Sequence, residues 1–134
     1  RPSAQIYTIE GCPNIARIAQ QNFKNAKASN IKSIVGNINT QLPKVLSSID
    51  DLGMVFFDAN HTKEATLNYF YQCLEKVNNN TIFIFDDIYW SEEMTQAWQE
   101  IYNNQAVTYS IDLFSMGIVF FNKEWKKSHF KIKF

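Results

Sequence analysis

The sequence predicts an α/β fold: a mostly parallel sheet with helices on both faces, closed by an antiparallel hairpin. Three observations carry this. Short runs rich in Ile, Val and Phe alternate with segments of helical periodicity. Those runs are nearly continuous in apolar residues, as strands buried on both faces are. The last two, residues 107–113 and 116–122, are joined tightly enough to pair as a hairpin.

Each element has a local reason. Residues 6–9 read as a strand that ends at Glu10. Pro13 suits a first helical position, where its missing N–H goes unnoticed. Ile15, Ile18, Ala19, Phe23 and Ala26 follow at helical spacing. Residues 31–35 form a second strand, closed by Gly36, and Leu42, Val45, Leu46 and Ile49 mark a short amphipathic helix. Residues 52–57 are a third strand, ending at Asp58. Thr62 caps the next helix, whose expected buried face is Leu67, Phe70, Leu74 and Val77. Residues 81–85 are a fourth strand, ending at Asp86 and Asp87. Ser91 caps a helix with Glu92 and Glu93 in its first turn and Met94, Ala97, Trp98 and Ile101 facing inward. After the hairpin, residues 130–134 alternate and are expected to extend its second strand. With no repeat, linker or low-complexity tract, residues 1–134 are expected to form one domain.

Composition narrows the function classes. Hydrophobic residues make up 46% of the chain and aromatics 15%, which is enough for a packed core. Lys and Arg total 13 and Asp and Glu total 13, so no global basic field exists to attract nucleic acid. The cluster Lys123, Lys126, Lys127, Lys131 and Lys133 reads as a solvated C-terminal hairpin, and His129 among it as surface. No apolar run approaches the ~20 residues of a membrane span. Cys12 and Cys73 do not suggest a disulfide framework, and the pattern suits a reducing cytoplasm.

One placement recurs. Glu10, Asp58 and the pair Asp86-Asp87 each directly follow an apolar strand. In a parallel sheet these strand ends share an edge, and open α/β sheets bind ligands in the crevice outside it. A lone strand-terminal Asp more often caps the following turn; four carboxylates together point to a site. Glu10 suits the ribose hydroxyls of a nucleotide-type cofactor. Asp58, Asp86 and Asp87 suit a hard divalent cation such as Mg²⁺, which would lower the pKa of a substrate hydroxyl. His61, three residues after Asp58, suits a general base for that hydroxyl, with a loop cap as the plainer reading. Tyr89 and Trp90 on the same loop as the Asp pair suit a pocket for a flat ligand.

The segments Ile6-Tyr7-Thr8-Ile9-Glu10-Gly11, Ile34-Val35-Gly36-Asn37, Val55-Phe56-Phe57-Asp58-Ala59-Asn60-His61 and Phe83-Ile84-Phe85-Asp86-Asp87 resemble, in order and spacing, the later motifs of class I S-adenosylmethionine-dependent methyltransferases. The bacterial O-methyltransferases of the catechol and caffeoyl-CoA type are the most similar group. The resemblance implies a Rossmann-like, three-layer αβα fold. It implies that Glu10 and Gly11 hold the cofactor ribose, Asn37 and Ile38 flank its adenine, and Asp58 lies beside its methionine part or a metal. Asp58 with His61 would serve catalysis, and Asp86 and Asp87 would match an Asp-Asn metal pair, with Asp in place of Asn. The acceptor would be a small hydroxylated molecule.

That family opens with a strand and a Gly-x-Gly turn against the cofactor. Gly11, Gly36, Gly53 and Gly117 are the chain's four glycines, and none forms such a turn. The chain, which starts at Arg1 without Met, is therefore expected to be a truncated domain whose first strand is missing between those ending in Glu10 and Asp58. Those two strands are expected to pair directly, or a second copy to fill the gap as a homodimer. Two other readings stay open: a non-catalytic interaction domain, and a fragment of an NAD-binding enzyme.

Overall fold

β1 (Ile6–Glu10) and β2 (Ile31–Val35) run parallel, in register from Ile6 opposite Ile31 to Glu10 opposite Val35. The crossover between them is α1 (Pro13–Asn25), with Pro13 in its first turn. Gly36 ends β2 at φ 144°, a conformation that side chains rarely adopt, and its N–H reaches back 3.0 Å to the Glu10 carbonyl. Asn37 then caps α2 (Ile38–Ser47) by accepting from the Asn39 N–H, and Leu42, Val45 and Leu46 are buried as the spacing predicts. These elements form the unit Arg1–Ile49. The computed structural model describes residues 4–132 of the chain. One expectation fails in this unit: Ile15 and Ile18 of α1 are exposed and only Ala16 is buried. Two strands offer too narrow a surface to cover a wide helical stripe.

The second unit, Asp50–Phe134, holds a five-stranded sheet. β3 (Met54–Phe57) leads through α3 (Lys63–Leu74) to β4 (Ile82–Asp86), and α4 (Glu92–Asn103) leads to β5 (Tyr109–Asp112) and β6 (Met116–Phe120). A further strand, β7 (Ser128–Lys131), follows, and the order is β3-β4-β6-β5-β7. β6 is antiparallel to both neighbours, as the hairpin requires. β7 corrects an expectation: it does not extend β6 but pairs parallel with β5 on the outer edge. Lys133 and Phe134, also assigned to that extension, lie outside the described residues, as does Arg1.

Burial in this sheet has a period of two. Phe57, Phe83, Phe85, Gly117, Val119, Ser110 and Asp112 share the face covered by α3 and α4. Phe70 of α3 meets the rings of Phe83 and Phe85, and Trp98 of α4 lies against Phe85. Glycine is required at 117, because an added Cβ would sit 2.6 Å from the Trp98 ring. The other face carries Ile82, Ile84, Ile118 and Phe120 half-buried, with Met54 64% and Phe56 49% exposed. Within this unit α3 and α4 lie on the same face. Both crossovers step the same way along the sheet, so uniform handedness puts both helices on one side.

Helix caps follow the sequence. Thr62 accepts from the Ala65 N–H and Ser91 from the Met94 N–H. The buried face of α4 is Met94, Ala97, Trp98 and Ile101, as expected. The buried face of α3 is instead Thr66, Tyr69, Phe70 and Cys73, while Leu67, Leu74 and Val77 are half-buried. Among the described residues the strands form two sheets, β1-β2 in the first unit and β3-β4-β6-β5-β7 in the second.

Candidate functional site

In the first unit, Glu10 ends β1 and turns back on its own loop. Its Oε1 accepts from the Cys12 N–H at 2.7 Å, which fixes the tight entry into α1. Its second carboxylate oxygen makes no hydrogen bond among the described residues and is free to accept from a ligand. Gly11 borders open space, with nothing within 4 Å of where a Cβ would stand. Asn37 spends its carbonyl oxygen on capping α2, leaving its amide donors, and Ile38 is the half-buried first residue of that helix. The result is a carboxylate oxygen, an open glycine, amide donors and an aliphatic side chain at the ends of two parallel strands.

The second unit gathers a different set. Asp58 follows β3, and Asn60 in the left-handed region (φ 56°) bends the chain toward Thr62 and α3. This brings His61 back beside Asp58, with Nε2 3.5 Å from Asp58 Oδ1. Asp87, also left-handed (φ 53°), follows β4 and places its Oδ2 3.5 Å from the same Nε2. The Nε2 atom is shut off from solvent, and neither contact has hydrogen-bond geometry, so the nitrogen has no partner of its own. The imidazole thus lies between two carboxylates.

Residues 87–90 form a turn closed by the Trp90 N–H on the Asp87 carbonyl at 2.9 Å. Ile88 is buried beneath it. Trp90 is 73% exposed, its ring 6.4 Å from that of His61. Tyr89 points the other way. Its hydroxyl donates to Asp112 on β5 and receives the Lys131 ammonium at 2.8 Å. Asp112 is 1% exposed. Its other oxygen accepts from the Phe114 N–H at 2.9 Å, and Phe114 is left-handed at φ 71°, which is costly for a bulky residue. Burial alone would raise the Asp112 carboxyl, but the Tyr89 hydroxyl, the Phe114 N–H and Lys131 together hold it below its ordinary value. Burial, and then the hydrogen bond to Asp112, raises the Tyr89 phenol.

The expected magnesium site is not formed. Among the described residues no group of three or more His, Cys, Asp or Glu side chains is placed to hold a metal ion. The reason is strand alternation. Asp86 is still in β4, on the face shared with Ile84 and opposite Met116, while the left-handed Asp87 turns toward His61. The lysine cluster is also not simply solvated: Lys127 donates to the Asn103 and Asn104 carbonyls at the end of α4, and Lys131 joins Asp112. His129 sits at the surface as expected, yet bonds Ser110 at 2.7 Å and stacks on Tyr102. The tie among Tyr89, Asp112 and Lys131 was not foreseen. Its one signal in the sequence is an Asp at an inward position of an apolar strand.

A family model described as a methyltransferase domain matches residues 1–88. No curated protein sequence matches the chain. Among solved structures, the O-methyltransferase TomG of Streptomyces achromogenes, in complex with S-adenosylmethionine, is 17% identical with a TM-score of 0.74 over 91% of this chain and 64% of that one. The O-methyltransferase of Bacillus cereus, in complex with S-adenosylhomocysteine, is 16% identical with a TM-score of 0.71 over 87% of this chain and 63% of that one. A methyltransferase of Podospora anserina bound to S-adenosylhomocysteine is 15% identical with a TM-score of 0.71 over 88% and 61%. These likenesses show a Rossmann-like α/β fold. The chain spans 61–64% of the length of these three structures.

Proposed function

The chain belongs to the methyltransferase-domain family, and from that premise we propose that it serves S-adenosylmethionine-dependent methyl transfer to a hydroxyl of a small molecule. The observation that carries this reading is the His61 Nε2, unpartnered and flanked by Asp58 and Asp87.

The roles divide between the units. The free oxygen of Glu10 suits the ribose hydroxyls, and the Asn37 amide with Ile38 suits the adenine; Gly11 leaves room for the sugar. The cofactor, when bound, supplies a methyl group on a sulfonium. His61 takes the acceptor's hydroxyl proton on its imidazole as the oxygen attacks, and Asp58 and Asp87 flank the ring. Trp90, its ring 6.4 Å from the imidazole, suits contact with the acceptor. Most of the acceleration comes from holding the two reactants in line. No step runs through a metal, because the carboxylates present do not fit one. Residues 1–134 are taken as one domain in this reading. The absence of a Gly-x-Gly turn from residues 1–134, and the share of the solved structures that the chain spans, support a piece of a longer enzyme whose remaining part holds the methionine end.

Titrating S-adenosylhomocysteine by calorimetry into the chain, and into a form carrying an upstream strand and glycine-rich turn, tests this. Binding by the extended form that is lost in Glu10→Ala supports it. No binding by either form overturns it. With an acceptor in hand, His61→Gln is expected to lower kcat by about 10²–10⁴-fold, the usual worth of a general base.

A further inference from the structure

Asp112 is a buried carboxylate for which methyl transfer has no direct use. Burying a charge is costly unless it is paired and hydrogen-bonded, so its partners show what it serves. They are the Tyr89 hydroxyl, the Phe114 N–H at 2.9 Å and the Lys131 ammonium at 3.4 Å. Tyr89 lies in the turn that carries Asp87 and Trp90. Phe114 lies in the β5–β6 turn, and its ring is 5.8 Å from that of Tyr89. Lys131 comes from the edge strand β7 and also stands 4.5 Å over the Tyr89 ring. One carboxylate thus grips two loops and an edge strand.

Both gripped loops carry unusual backbone. Asp87 and Phe114 both have positive φ, and such conformations persist where the surroundings fix them. Both loops also present large exposed rings, Trp90 at 73% and Phe114 at 71%. Trp90, a solvated ring 6.4 Å from that of a candidate proton acceptor, suits contact with a ligand better than packing.

We propose that Asp112 is a positioning residue: by gripping the Tyr89 hydroxyl and the Phe114 N–H, it holds the turn of residues 87–90 in the conformation that sets Asp87 against His61. Lys131 neutralises the buried carboxylate and so makes the arrangement tolerable. The inference rests on the reading of His61 as the acceptor-side base. The competing account is that Ile88, buried in the same turn, holds it unaided.

The test is two-dimensional NMR of the full chain carrying Tyr89→Phe, Asp112→Asn or, as a control on the same strand face, Ser110→Ala. Tyr89→Phe keeps the ring and its packing and removes only the hydroxyl, so it decides the matter even where Asp112→Asn fails to fold. Expected are shifted ring signals for His61 and a shifted indole N–H for Trp90 in Tyr89→Phe and Asp112→Asn, with neither moved in Ser110→Ala. The double variant should move them no further than the larger single change, since both act along one path. Unmoved His61 and Trp90 signals in folded Tyr89→Phe overturn the proposal in favour of Ile88. An assay separates this from the broader reading. In a form that turns over, Tyr89→Phe should raise the acceptor KM about tenfold and leave the S-adenosylmethionine KM unchanged. Absence of turnover in every form sinks the proposed function, while the NMR result still decides the role of Asp112.

Discussion

The two units solve the problem of burial differently. In the five-stranded unit the rings of Phe57, Phe70, Phe83, Phe85, Trp98 and Phe121 form one network of edge and stacked contacts, and Phe70 and Phe83 are wholly enclosed. In the two-stranded unit the buried apolar side chains among the described residues are Ala16, Leu42, Val45 and Leu46. A two-stranded sheet is marginal in water, whereas three or more strands under helices can stand alone. The proposed acceptor side is thus built on a stiff platform, and the proposed ribose side on a thin one. Each proposed binding residue in the thin unit is held mainly by local hydrogen bonds, such as Glu10 on the Cys12 N–H and Asn37 on the Asn39 N–H.

The largest expected difference between the units is chemical. Cys73 is enclosed, and burial pushes its thiol up to about 12, so almost none is thiolate at neutral pH. Cys12 is exposed at the start of α1. A maleimide reagent followed by mass spectrometry should label the exposed Cys12 well before the enclosed Cys73. Equal labelling would mean that the five-stranded unit opens as readily as the other.

Core truncation should separate the units next. Phe83→Ala removes a ring from the centre of the aromatic network and should cost about 3–5 kcal/mol by chemical denaturation. Leu42→Ala, at a looser site, should cost about 2 kcal/mol, near the lower end for such changes. A larger loss at Leu42 would reverse the comparison. Gly117→Ala is expected to cost about 1–3 kcal/mol as an overpacking change, read by the same denaturation midpoint. The smallest effects lie at helix starts. Ser91→Ala removes the α4 cap and should cost about 1 kcal/mol. Cys12 gives α1 no side-chain cap, so Cys12→Ser should add about 0.5 kcal/mol to the thin unit, measurable as a raised Tm.

How legible each region was depends on whether its signals are local. The face of α4 was readable because Met94, Ala97, Trp98 and Ile101 are all apolar and one helical face carries them. The face of α3 was misread because it includes Thr66 and Tyr69, whose polar atoms tolerate burial only through partners distant in sequence. Thr66 bonds the Met94 sulfur, and Tyr69 accepts from the Asn60 side chain. The strand-end carboxylates were visible as a set, but not their aim. Alternation within β4 and a left-handed Asp87 part the Asp pair, and no residue type announces a positive φ at Asp. The pairing of β7 is not legible, because a short exposed strand is placed by its neighbour β5 and not by its own pattern.

The contact between Gly117 and Trp98 has a consequence for how sequences of this kind can change. The indole occupies the space that any other residue at 117 would need. Neither position is free to drift alone: a larger residue at 117 demands a smaller one at 98, and the helix and the sheet exchange volume as a pair. In an alignment of relatives the two positions should therefore vary together, with tryptophan at the first accompanied by glycine at the second.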